Sequence, residues 1–148
     1  MTMDRRAFMK RTCSSCLGAS AITVLLANCQ STYYTSGTWE PNGISVLKSE
    51  FTLQKGANTI LRDYIIIRNE KMEFPLCVYR FSENEYSALL MKCTHQGTEL
   101  LAAGDQLHCP AHGSEFNSRG LVSQGPAEAN LRKFNVLVTA EKLLIELK

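Results

Sequence analysis

From residue 39 onward, apolar residues gather in short runs separated by polar or Gly-containing breaks. Ile44 to Leu47, Thr59 to Leu61, Tyr64 to Ile67, Leu76 to Phe81 and Tyr86 to Met91 are rich in β-branched, aromatic and aliphatic residues, as strands are. The polar connector Ser82 to Glu85 predicts that the last two form a hairpin. Leu107-His108-Cys109 reads as another short strand, and Phe134 to Val138 with Leu143 to Leu147 as a closing hairpin around Thr139 to Lys142. No long segment after residue 28 carries helical periodicity. The pattern predicts an all-β fold, a sandwich or barrel of small antiparallel sheets. Strands of this kind fix the loops between them, and rigid loops hold ligands in place.

The chain has 148 residues, which suits one domain, and 20% of them are charged. Neither disorder nor a nucleic-acid electrostatic footprint is implied. The formal net charge of +2 conceals an asymmetry. Arg5, Arg6, Lys10 and Arg11 stand against Asp4 at the start, and the remaining chain is near neutral. The basic cluster thus belongs to a leader. Asp4-Arg5-Arg6-Ala7-Phe8-Met9-Lys10-Arg11 and the weakly apolar stretch Thr12 to Ala27 resemble a twin-arginine export signal; the plainer alternative is an ordinary secretory signal. Leu26-Ala27-Asn28-Cys29 resembles a bacterial lipobox, although Asn28 departs from the usual small residue. A multiply acylated Cys29 would hold the protein on a membrane. The expected organisation is a signal over residues 1–28, a polar tether over 29–38 and one domain over 39–148. Cys13 and Cys16 fall inside the leader and read as small apolar residues, and Cys77 reads as a buried thiol packing as a small hydrophobe.

Two segments carry chemistry: Cys93-Thr-His95-Gln-Gly97 and Cys109-Pro-Ala-His112-Gly113-Ser114. Each supplies one thiol and one imidazole, with 13 residues between His95 and Cys109. Such a set points to a metal site. Zinc accepts two Cys and two His in a tetrahedron, but its common arrangements pair the two Cys in one turn and the two His on a helix. Here each turn mixes the two types. A dinuclear [2Fe–2S] cluster suits that mixture, because one iron takes both thiolates and the other both imidazoles. Gly97, Gly113 and Pro110 sit where two similar loops would turn around an inorganic core.

At these residues the chain closely resembles the Rieske iron–sulfur family. The resemblance rests on the two ligand segments, on Phe116-Asn117-Ser118-Arg119-Gly120 and on Gly125-Pro126-Ala127, and it runs from about Phe74 to Leu147. It implies a Rieske-like domain with one [2Fe–2S] cluster, Cys93 and Cys109 on a buried iron, and His95 and His112 on an outer iron near the surface. It also implies that Ser114 donates a hydrogen bond to the cluster and that the Gly125-Pro126-Ala127 loop covers it. Two departures stand out. Members from cytochrome bc complexes join the ligand loops by a disulfide, whose positions here are Thr98 and Ala111. High-potential members also carry a Tyr that hydrogen-bonds a ligand sulfur, and Phe116 stands in its place.

The third histidine, His108, is read as a surface or packing residue. A mononuclear-iron oxygenase site needs two further His and a carboxylate, and this chain has three His in all. No complete active site is therefore expected. What remains is one-electron transfer to or from a redox partner protein, with a quinol as a possible donor because imidazoles can couple electron and proton movement. Leu100 and Pro126 would either form an apolar docking rim or simply pack the ligand loops. The resulting expectation is an exported electron carrier on the periplasmic side, tethered through lipidated Cys29, or the small subunit of a larger oxidoreductase. The alternatives are a zinc-stabilised interaction domain and a ferredoxin component of an oxygenase. Hydrogen bonds to sulfur raise a cluster's potential, so Phe116 predicts a potential on the order of 100 mV below the top of the Rieske range. Phe116→Tyr is expected to raise it, as measured by voltammetry at neutral pH; a fall would contradict the hydrogen-bond account.

Overall fold

The computed structural model describes residues 32–148, which fold almost entirely as β-structure. In chain order the strands are β1 (Tyr34–Thr35), β2 (Thr38–Glu40), β3 (Gly43–Leu47), β4 (Thr52–Lys55), β5 (Asn58–Leu61), β6 (Tyr64–Ile67) and β7 (Leu76–Arg80). They continue as β8 (Tyr86–Leu90), β9 (Leu101–Ala103), β10 (Gln106–His108), β11 (Glu115–Asn117), β12 (Val122–Gln124), β13 (Lys133–Val138) and β14 (Lys142–Glu146). A 3-10 turn, Lys48–Phe51, precedes β4. Eight strands form one sheet in the order β1-β6-β7-β8-β13-β14-β3-β2, and a smaller sheet runs β12-β11-β10-β9. The pairings are antiparallel apart from β1 against β6.

The centre of the large sheet is buried on both faces. Ile65, Ile67, Leu76, Val78 and Ala88 point into one core, while Tyr64, Ile66, Cys77, Tyr79 and Leu89 point into another. Two-sided burial is why these strands read as unbroken apolar runs and not as alternating ones. The sheet then turns a corner at β13. Lys133 and Phe134 pair with Leu89 and Ala88, whereas Asn135 to Val138 pair with β14. Beyond the corner, Ile44, Val46, Leu143 and Ile145 close back over the first core. The second core joins the large sheet to the small one through Leu107 and Phe116, and it also contains Cys93 and Cys109.

The expected strands form at or within a residue or two of their predicted bounds, including the hairpin of β7 with β8 and that of β13 with β14. Tyr34 and Thr35 pair with Ile66 and Ile67, and Thr38 pairs with Ser45, so the sheet reaches back into the segment read as a polar tether. These strands are short and polar, and ladder hydrogen bonds hold them: Ile66 N–H donates to the Tyr33 carbonyl at 2.9 Å and Arg68 N–H to the Thr35 carbonyl at 2.9 Å. The leader, the lipobox and Cys13, Cys16 and Cys29 lie outside the described residues. Among the described residues no helix is long and apolar enough to cross a membrane.

Two further features bear on the fold. Cys77 is fully buried and free, and burial pushes its thiol well above the ordinary range, as it does the neighbouring Tyr79 phenol. Although the thiol approaches the Tyr79 hydroxyl, that hydroxyl makes no well-formed hydrogen bond. β4 and β5 form a two-stranded ribbon of their own, with Gln54 to Leu61 exposed. Its base is held by the Arg62 guanidinium, which donates to the Glu50 carbonyl at 3.1 Å and the Thr52 carbonyl at 2.8 Å.

Among the described glycines, Gly43 meets its neighbour most tightly, where β3 lies against β14. A Cβ on Gly43 would lie 1.9 Å from the Ile145 carbonyl oxygen. Backbone cannot yield as a side chain can, so Gly43→Ala is expected to cost about 3 kcal/mol. Urea unfolding checks this: the midpoint should fall at unchanged slope, and an unaltered midpoint would refute the contact.

Candidate metal centre

The two motif segments fold into equivalent loops. In the first, Cys93 N–H donates to the Thr98 carbonyl at 2.8 Å and Gly97 N–H returns to the Cys93 carbonyl at 2.8 Å. In the second, Cys109 N–H donates to the Ser114 carbonyl at 2.8 Å and Gly113 N–H to the Cys109 carbonyl at 3.0 Å. After that return bond the chain reverses through a left-handed residue, Gly97 at φ 75° and Gly113 at φ 76°, which brings the next carbonyl back to the Cys amide. Each loop stands on paired backbone. Lys92 bridges Glu99 beneath the first, and His108 pairs with Glu115 across β10 and β11 beneath the second.

The loops bring the four predicted ligands together in two pairs. Cys93 and Cys109 are 2% and 1% exposed, and the Cys93 side chain hydrogen-bonds Cys109. His95 and His112 are exposed, with ring centroids 5.0 Å apart and planes at 85°. Burial alone would raise the Cys109 thiol. Hydrogen bonds outweigh it and bring the thiol below its ordinary value: they come from the backbone N–H of Ala111, the Cys93 side chain, the His112 N–H and the Thr98 side chain. A thiol held in that way is ready to act as a thiolate ligand.

A third segment lies against both loops. It runs from β12 through Gly125, Pro126 and Ala127 to Asn130, with a cis peptide at Gly125–Pro126. Ser114 is fully buried, and its Oγ accepts the Ala127 N–H at 3.0 Å. Its own proton is thereby left to donate elsewhere. Thr94 Oγ1 donates to the Ala129 carbonyl at 2.6 Å, and Gln124 Nε2 donates to the Gly113 carbonyl at 2.9 Å. Neither Thr94 nor Gln124 stands out in the sequence, because each acts through a partner many residues away.

The donor set fits a dinuclear iron–sulfur core. Soft sulfurs occupy the buried end and imidazoles the exposed end, so the two ligand types are segregated as a core with one iron for each type would need. Among the described residues no group of three or more His, Cys, Asp or Glu is gathered as if around one ion. His108 stands apart, with its Nδ1 3.9 Å from a Glu115 carboxylate oxygen. Leu100 is fully buried and packs in the second core, so it is no part of a docking rim; Pro126 is exposed. Phe116 is fully buried in the apolar cluster that holds both thiols.

Comparison with known proteins agrees with this geometry. The family model described as the Rieske [2Fe–2S] domain matches residues 45–135. The mitochondrial cytochrome b-c1 complex subunit Rieske of Bos taurus is 35% identical over 69 residues, which are 45% of this chain and 25% of that protein. The ubiquinol-cytochrome c reductase iron-sulfur subunit of Bradyrhizobium diazoefficiens is 48% identical over 42 residues, 26% of this chain and 24% of that one. The chain thus spans about a quarter of the length of these curated relatives. The crystal structure of the cyanobacterial plasma membrane Rieske protein PetC3 from Synechocystis PCC 6803 superimposes with a TM-score of 0.50 at 26% identity, covering 57% of this chain and 86% of that one. The matched family model covers both loops and the segment that braces them: this chain belongs to the Rieske [2Fe–2S] domain family, and one [2Fe–2S] cluster comes with that membership.

Proposed function

We propose that Cys93 and Cys109 hold one iron of the cluster, that His95 and His112 hold the other, and that the chain is a one-electron carrier, alone or as the small subunit of a larger oxidoreductase. The observation that carries this reading is the buried thiol pair set beside an exposed imidazole pair. When bound, such a cluster supplies a centre that gains and loses one electron. The chain's own residues do the rest. The burial of Cys93 and Cys109 keeps water from the sulfurs, and the Ala111 and His112 amides stabilise negative charge on Cys109. His95 and His112 lie where a docked partner can approach them, and each has a second ring nitrogen that can hold or release a proton.

That proton chemistry suits a quinol donor, which gives up protons with its electrons. The curated relatives whose names place them in cytochrome b-c1 and ubiquinol-cytochrome c reductase complexes support the same class of partner. The surface around the imidazoles carries little charge. Thr94, Gln96, Pro110, Ala111, Gly125, Pro126, Ala129 and Asn130 are exposed there, with Glu128 as the charged member of the bracing segment. Docking on such a surface relies on shape and apolar contact more than on ion pairs. Export through the twin-arginine-type leader, residence on the periplasmic side and tethering through a lipidated Cys29 complete the proposal. They would set the carrier beside a membrane partner.

Purified protein tests the ligand assignment. About two iron and two labile sulfide per chain are expected, with a paramagnetic signal on reduction. Cys109→Ala and His112→Ala should each abolish that signal and the colour; zinc without sulfide in the parent protein would overturn the assignment. Ser114 gives a second test. Ser114→Ala removes one side-chain donor and is expected to lower the potential by about 60 mV, the one-electron equivalent of about 1.4 kcal/mol. An unshifted potential would mean that the Ser114 proton is not directed at the cluster.

A further inference from the structure

The two ligand loops need to be held at a fixed separation, and the segment from β12 to Asn130 reaches both of them. Thr94, in the first loop, donates to the Ala129 carbonyl at 2.6 Å. In the second loop, the Gly113 carbonyl accepts from Gln124 at 2.9 Å, and Ser114 Oγ accepts from Ala127 N–H at 3.0 Å. The segment is itself closed at its base, where Val122 N–H donates to Asn130 Oδ1 at 3.0 Å and Leu131 N–H to the Gly120 carbonyl at 2.8 Å. It therefore behaves as one stiff strap, tied to one loop near its end and to the other loop near its start and middle. The free cysteines among the described residues are Cys77, Cys93 and Cys109, so no disulfide joins the loops there.

We propose that this strap is a non-covalent crosslink between the two ligand loops, and that Thr94 and Gln124 are positioning residues that set how firmly the cluster is retained. The proposal rests on the ligand assignment above. Its logic is that of a chain with two links in series. The Thr94 bond fixes the strap to the first loop, and the Gln124 bond helps fix it to the second. Either link alone ties a loop to the strap but not one loop to the other. Cutting the Thr94 link therefore removes what the strap provides, whereas cutting the Gln124 link leaves the second loop held by the Ser114–Ala127 bond; two independent contacts would instead contribute separately. Thr98 and Ala111 mark where a covalent substitute could go: the Thr98 side chain and the Ala111 N–H both reach the Cys109 sulfur, so the two residues are neighbours across the loops.

The experiment follows cluster loss from the reconstituted full chain, by visible circular dichroism and iron release to a chelator, for Thr94→Val, Gln124→Leu, the double variant and Thr94→Ser. Thr94→Val is expected to speed loss about fivefold, as one hydrogen bond is worth, and Gln124→Leu by less, because the Ser114–Ala127 bond still holds the second loop. The double variant should be little faster than Thr94→Val, and Thr94→Ser, which keeps the hydroxyl, should match the parent. Adding Thr98→Cys with Ala111→Cys to the Gln124→Leu chain should restore retention under oxidising conditions and lose that benefit on reduction. Multiplying single effects, or a crosslink that forms yet rescues nothing, would overturn the strap. If Gln124→Leu proves too weak to load, the Thr94→Val and Thr94→Ser pair carries the test, with equal loss rates refuting the proposal. A parent chain that binds no iron and sulfide would overturn the ligand assignment itself, and is told apart from failure of the strap by that measurement alone.

Discussion

Two sulfurs packed against one another, away from water, pose an electrostatic problem that governs the whole tip of the molecule. Burial disfavours a thiolate, and a second thiolate alongside disfavours it further. The structure answers with hydrogen-bond donors. The second loop turns so that the amides of Ala111 and His112 face the Cys109 sulfur, and the Thr98 side chain joins them from the first loop. A peptide turn that aims consecutive N–H groups at one atom leaves little conformational choice, and the left-handed glycines of the two loops follow from it. Positive charge from metal would complete the compensation under the proposed ligand assignment.

Holding such turns still is a task for the β-structure beneath them. The three central strands of the large sheet are sealed on both faces, and the first ligand loop grows directly from the end of one of them. The second loop rises from a ladder of very short strands whose stability comes from Leu107 and Phe116 pressed on that same sheet. The two ligand loops thus share one apolar floor. Phe116 illustrates the compromise at this floor: it seals the site against water, but it has no hydroxyl to offer a sulfur.

What the sequence discloses follows from which forces act locally. The isoleucine run of Tyr64 to Ile67 and the apolar run from Leu76 announce themselves because burial on both faces demands apolar side chains at every position. The four proposed ligands announce themselves because few other uses explain their spacing. By contrast, Glu115 to Asn117 and Val122 to Gln124 are three-residue strands of mixed polarity, and only their partners make them strands. Tyr34 and Thr35 looked like tether for the same reason. Leu100 was ambiguous between rim and floor, and only the burial of its neighbours decides for the floor. The work of Thr94 depends on a carbonyl 35 positions away, which no local pattern encodes.

The ribbon of β4 and β5 has a practical consequence. It shares no ladder with either sheet, its base is pinned by the Arg62 guanidinium, and a side chain added at Gly56 would meet no atom within 4 Å. Lengthening such a turn costs only the slowly growing entropy of closing a longer loop. The tip between Gly56 and Ala57 is consequently a natural splice point for an affinity peptide or a fluorescent reporter, remote in hydrogen-bonding terms from the loops that carry the chemistry.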